Sequence, residues 1–366
     1  NILGAILYGK NELYKSAIAD FLSSFIRGLS IILLVILGYG VYGYILGVII
    51  SRFTGLSIRL YYTYHDIIQG LRFGILRGIK GTKEMLPLVG TLYIVAIISY
   101  IASWIDQAIV FGALGITELG IYGLAMRIGS VINILRANLG YTLMPFYSML
   151  YSANGIHALK ETLYRISRYT SLVLVPFVFV IGALTYEFIP FIFGTEYSRS
   201  ALLAFIYITC IGSLYTFASY GGMAIVLELK KVIITVTAIG SLSMIIAELL
   251  LLRHGSLGIV IGKCIGMIIW ILTGFIIFFK KYSLMIDLKA YTLGLTLGFI
   301  GIVIVYGLGL LGLMYSLIGI IAWIACTLII HKLIKPLSKD DIVKLKSIIG
   351  TGLLLKTIDI YAKLID

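Results

Sequence analysis

The sequence predicts an all-α polytopic membrane protein of about ten transmembrane helices, and three observations carry that prediction. The 366-residue chain is 60% hydrophobic and only 12% charged, with a mean hydropathy of +1.08. A soluble domain of that length must coat itself in polar surface, so this composition excludes one. Apolar residues gather into stretches long enough to cross a hydrocarbon core about 30 Å thick, which takes roughly 20 residues of helix. The net charge of +13 is concentrated in every second connector between those stretches, which is the positive-inside bias.

Taken in order, the spans fall near 16–37, 41–62, 86–112, 119–149, 169–193, 199–226, 232–252, 256–280, 289–312 and 314–332. One set of connectors carries Lys10 and Lys15, then Arg72, Arg77, Lys80 and Lys83, then Lys160, Arg165 and Arg168, then Lys230 and Lys231, then Lys280 and Lys281, and ends in a Lys-rich tail. The alternate set holds only Arg199 and Arg253. Both ends are therefore expected on the cytoplasmic face of the cell membrane. The basic balance reads as topology and attraction to anionic lipid headgroups, not as nucleic-acid binding. Cys210, Cys264 and Cys326 lie inside apolar spans without metal-ligand spacing, so neither a disulfide, a metal nor a cofactor is expected.

A short repeat suggests how the spans are organised. Residues 40–47 (GVYGYILG) and 255–262 (GSLGIVIG) both follow G-x2-G-x3-G, and each opens a span after one entered from a basic connector. The pairs 16–62 and 232–280 are expected to superpose as helical repeats. Four further spans precede the second pair, and only the stub NILGAILY precedes the first. The expected domains are then 1–64, a first bundle short of about four spans; 65–84, an amphipathic linker at the inner membrane face; 85–281, a six-helix bundle; 288–333, an additional helix pair; and 334–366, a cytoplasmic or interfacial tail. In the linker, Ile67, Ile68, Leu71, Ile75 and Ile79 share one helical face. A second amphipathic helix fits 157–168.

The segment DQAIVFGALGITELGIYGLAMRIGSVINILRANLGYTLMPFYSML, followed by FIPFIFGTEYSRSALL, carries a family pattern in Asp106, Gly120, Tyr122, Ala125, Arg127, Pro145, Phe193, Gly194 and Tyr197. It resembles the polysaccharide-unit flippases of the multidrug/oligosaccharidyl-lipid/polysaccharide exporter superfamily. The resemblance implies a two-bundle fold around a lateral cavity, with the first bundle incomplete here. It also implies movement of an isoprenoid-lipid-linked oligosaccharide from the inner to the outer leaflet by alternating access. On this resemblance the chain is expected to lack the family's first three to four helices.

Ionisable side chains inside spans are costly and mark candidate function. Counting about 1.5 Å per residue, Asp106 lies about 10 Å below the outer end of its span, with Arg127 and Lys263 at similar depth. Arg27 and Arg52 fall near mid-membrane, and Arg136 in the inner half of its span. A lipid-linked oligosaccharide presents phosphate, and the guanidinium fork pairs bidentately with phosphate oxygens while staying charged when desolvated. Arg27, Arg127, Arg52, Arg136 and Lys263 are therefore the expected substrate-binding cations, with Arg27 and Arg127 ranked above Arg136. Asp106 is the expected ion-coupling or pairing residue.

Plainer readings stand beside these. Asp106 and Arg127 can neutralise each other as a structural pair, and Arg52 and Lys263 can snorkel to opposite interfaces. Glu187 and Glu248 read as solvated near the outer edge. No catalytic motif is present and every outer connector is short, so no enzyme is expected. The expected partners are the lipid-linked oligosaccharide, membrane lipids and a coupling cation, proton or sodium. The rivals are a cation-coupled drug exporter, a peptidoglycan-precursor flippase and a membrane scaffold subunit.

Overall fold

A computed structural model describes residues 2–10, 12–72, 75–334 and 336. Among them the chain is almost entirely helical, with no strand. The helices run α1 (Ile2–Gly9), α2 (Leu13–Leu34), α3 (Gly40–Arg72), α4 (Ile75–Leu114), α5 (Ile116–Tyr169), α6 (Val175–Phe193), α7 (Ser198–Ser213), α8 (Ala218–Val226), α9 (Lys230–Leu251), α10 (Gly255–Tyr282), α11 (Leu288–Gly309) and α12 (Leu313–Ile334). The expected tail, 334–366, lies outside the described residues except for Ile334 and Pro336.

Among the described residues, six helical stretches are long and apolar enough to cross a membrane, and a seventh forms if Thr195–Ser213 and Tyr215–Val226, bent by 43°, count as one span. The ten spans of the sequence reading map onto these seven stretches. Three stretches, Tyr14–Ile68, Ile116–Phe193 and Lys230–Tyr282, hold two of those spans each without a loop between them. At roughly 1.5 Å per residue each is far longer than a bilayer is thick, so the chain reverses at tight breaks. In the first and third stretches the breaks coincide with the repeated glycines. Gly40 has φ 49° and ψ −125°, and Gly255 has φ 67° and ψ −151°, a region closed to side-chain-bearing residues. Gly155, at φ 67°, divides the membrane part of α5 from the amphipathic turns that follow it.

The chain divides into two compact units, residues 1–87 and 88–366. In the first, α2 and α3 form a close hairpin, and the stub α1 packs on both with Leu7 fully buried. The hairpin closes along small residues four apart on α3: Gly43 lies over Leu34, Gly47 over Ile31 and Gly55 over Ser23, with Ser51 buried between them. Asp20 on α2 pairs with Arg59 on α3, and Lys10 pairs with Asp66. The expected linker is not an element of its own. Its first part prolongs α3 to Arg72, and its second opens α4 from Ile75.

The second unit has the same hairpin device in α9 and α10. Gly258, Gly262 and Gly266 face the backbone of Leu251, Glu248 and Met244, and Gly240 lies under the Trp270 ring. One apolar core joins α4, α5, α6, α7 and α10 through residues such as Val110, Tyr122, Phe179, Ile208 and Ile259. A second, built on Tyr147, Leu163, Met223 and Phe278, gathers α5, α8 and α10. The pair α11–α12, expected as a separate addition, belongs to this unit. Gly294 approaches the backbone of Ser171, and Gly298 and Gly301 pack on Phe179 and Val180 of α6. Asp287 fastens the junction: it caps α11 by accepting from the Ala290 amide at 3.0 Å and accepts from Arg168 Nε at 2.6 Å, while its own amide donates to Ser167 Oγ at 2.9 Å.

Candidate functional site

In the first unit, Arg27 on α2 and Arg52 on α3 are both exposed, and neither has an ion-pair or hydrogen-bond partner among the described residues. Of the three arginines inside the predicted spans there, the one that is paired is Arg59, which sequence reasoning missed. The signal was available: Asp20 lies four residues inside one predicted span end and Arg59 three residues inside the facing one, hence at matching depth.

The second unit contains two features of interest, a buried charge cluster and a cavity. In the cluster, Asp106 of α4 is 1% exposed and its Oδ2 accepts from the Tyr122 hydroxyl at 2.6 Å. The same carboxylate pairs with the Lys263 ammonium from α10, which also lies 5.9 Å from the Tyr207 ring centroid. Tyr207 is seated over Gly129, where a Cβ would lie 2.3 Å from its ring. The structural pair expected for Asp106 was Arg127, but its partner is Lys263. The helix explains why. Tyr122 points from α5 toward Asp106, and Arg127, five residues on, is rotated by about 140° onto an exposed face. Lys263, expected among the substrate cations, is already committed to Asp106.

The cavity has a volume of about 300 Å3 and is walled by α4, α5, the α7–α8 turn, α8, α9 and α10. Its surface is mostly apolar, with Phe217, Tyr220, Trp270 and Phe278 among the lining residues together with Gly140, Gly221 and Gly222. Two of these glycines sit at a close approach, since a Cβ at Gly222 would lie 3.1 Å from the Gly140 carbonyl oxygen and one at Gly140 3.1 Å from the Ala218 carbonyl oxygen. One cation enters this space, Arg136 of α5. Its Nε donates to Asn133 Oδ1 at 3.2 Å and its guanidinium lies 5.9 Å from the Trp270 ring centroid. No carboxylate partners it among the described residues. Arg127 and Arg136, expected on opposite faces of this helix, differ in their surroundings: Arg136 lines the cavity and Arg127 is exposed.

At the other end of α5, Glu118 accepts from Arg199 and from Ser256 Oγ at 2.8 Å, which ties α5 to α7 and α10. The aromatic ring of Tyr197 contacts Phe193 across Gly194, with centroids 6.2 Å apart. The motif residues Tyr122, Phe193, Gly194 and Tyr197 thus hold helix ends and the charge cluster in position. Three cysteines are free, and no group of His, Cys, Asp or Glu among the described residues is arranged to hold a metal.

This geometry is that of a multi-pass helical membrane protein with an apolar cavity and a single unneutralised guanidinium inside it. A family model described as polysaccharide biosynthesis protein matches residues 4–202, more than half of the chain, and the protein belongs to that family. A solved structure titled lipid II flippase MurJ, inward closed conformation, shares the fold, with a TM-score of 0.68 and 19% identity over 91% of this chain and 70% of that one. Comparison with curated proteins gives no match.

Proposed function

We propose that the protein is a flippase that moves an isoprenoid-lipid-linked oligosaccharide from the inner to the outer leaflet of the cell membrane for polysaccharide assembly. It works by alternating access, with both chain ends cytoplasmic, without chemistry on the lipid, and coupled to a proton or sodium gradient. The observation that carries this reading is Arg136: a guanidinium without a carboxylate partner, in an otherwise apolar and aromatic cavity, is matched to an amphiphile bearing phosphate. A cationic drug would call for a carboxylate in that place. Membership of a polysaccharide biosynthesis family and the flippase fold agree with it. Arg27, Arg52 and Arg127 remain proposed phosphate contacts along the path, since all three are exposed cations within spans.

The test is translocation of a fluorescent lipid-linked oligosaccharide in proteoliposomes, read by quenching at the outer leaflet. Arg136→Ala should slow it at least about tenfold, the effect of losing a charge-assisted bond, and Arg136→Lys should restore it in part. Normal transport by Arg136→Ala would end this reading of the cavity. The likeness to a lipid II flippase favours a second substrate, a peptidoglycan precursor. Offering both lipids to the same liposomes decides between them.

A further inference from the structure

Beside the Asp106–Lys263 pair, α9 contributes a carboxyl that the sequence reading placed in water. Glu248 is 0% exposed, and neither of its carboxyl oxygens has a hydrogen-bond partner among the described residues. It lies within electrostatic range of Asp106 on α4, Lys263 on α10 and Tyr122 on α5. Among the described residues, the remaining elements packed on α9 bring it no counter-charge. Arg253 and His254, in the turn after α9, are exposed and bonded to each other at 3.2 Å. On α8, the Tyr220 hydroxyl donates to the Leu284 carbonyl at 3.4 Å.

Two carboxyls therefore share one ammonium, and that ammonium is taken by Asp106. A buried carboxylate with neither a counter-ion nor a donor is far less favourable than the neutral acid. We propose that Glu248 is a proton-binding site. It holds an occluded proton in this conformation, and exchange of that proton when the α9–α10 hairpin moves couples transport to a proton gradient. This rests on the flippase reading for its role in transport, not for the protonation itself.

A metal cation fits the place poorly. The Lys263 ammonium already supplies the local positive charge. Among the described residues no third His, Cys, Asp or Glu side chain joins Asp106 and Glu248 to complete a ligand set.

Infrared titration of the chain in lipid nanodiscs tests the site directly. At neutral pH the wild type should show a protonated-carboxyl stretch that Glu248→Gln removes and Glu248→Asp shifts. Lys263→Gln should add a second such band, because Asp106 then loses its counter-ion, and Asp106→Asn in that background should remove it. In proteoliposomes a pH gradient should stimulate flipping by the wild type and not by Glu248→Gln. If no lipid-linked glycan is moved while the bands behave as stated, the flippase reading fails and the proton site stands. A wild type without the band, a band that persists in Glu248→Gln, or one displaced by sodium at constant pH overturns the proton site, whatever the flipping result.

Discussion

Asp106 accepts from Tyr122 and pairs with Lys263 in a pocket from which water is excluded, so each side chain there depends on the others. Removing one member of a buried pair costs more than removing both, because it strands a charge. Lys263→Met should lower the stability of the second unit by about 3–5 kcal/mol, seen as an earlier thermal unfolding transition in detergent. The double variant Asp106→Asn with Lys263→Met should recover most of that loss. Equal losses in the single and double variants would mean that the pair adds no coupling. Arg127, exposed on the opposite side of α5, should tolerate Arg127→Ala with a stability change within about 0.5 kcal/mol, whatever its effect on transport.

The hairpins α2–α3 and α9–α10 owe their tightness to glycine, for two distinct reasons. At Gly40 and Gly255 the backbone has positive φ, and an alanine there should cost about 1–3 kcal/mol in strain. At Gly258 and Gly266 the conformation is helical but the neighbouring helix is too close: a Cβ would lie 1.9 Å from the Leu251 carbonyl oxygen and 2.3 Å from the Met244 Cβ. Gly258→Ala and Gly266→Ala should each destabilise by about 1–3 kcal/mol or more. Gly307→Ala on α11, where nothing lies within 4 Å, should be neutral or slightly stabilising because it removes a helix-weakening glycine. Chemical or thermal unfolding of the three variants side by side checks the contrast, and equal effects would refute the close-approach argument. The repeated G-x2-G-x3-G was legible in the sequence, and its first and second glycines map onto the reversal and the helix contact in both copies. The contact partners were not legible, because they lie on a preceding helix whose rotation no spacing rule supplies.

Across the whole molecule, long apolar stretches and the alternation of basic connectors predict which segments meet water on which side. Single cysteines at positions 196 and 253, in a background lacking Cys210, Cys264 and Cys326, should react with an impermeant maleimide from outside sealed cells. Cysteines at 160 and 281 should react only after permeabilisation. Outside labelling at 160 or 281 would reverse the orientation proposed here. The boundary between the two compact units falls at residue 87, inside α4.

The sequence by itself determined the membrane class, the helical content, the reversal points and the family pattern. Each of these follows from local properties: hydropathy over a span, charge in a connector, or a glycine where only glycine fits. It also put Asp106 and Lys263, which do meet, at similar depth, since depth is a count of residues along a helix. Tertiary structure decided what those residues do. Asp106 meets Lys263 instead of Arg127, Arg136 enters a cavity while Arg127 is left exposed, and Glu248 is sealed where a solvated edge was expected. The physical reason is that burial and partnership depend on how neighbouring helices are rotated about their axes. That rotation is set by the glycine contacts and aromatic packing of several helices at once.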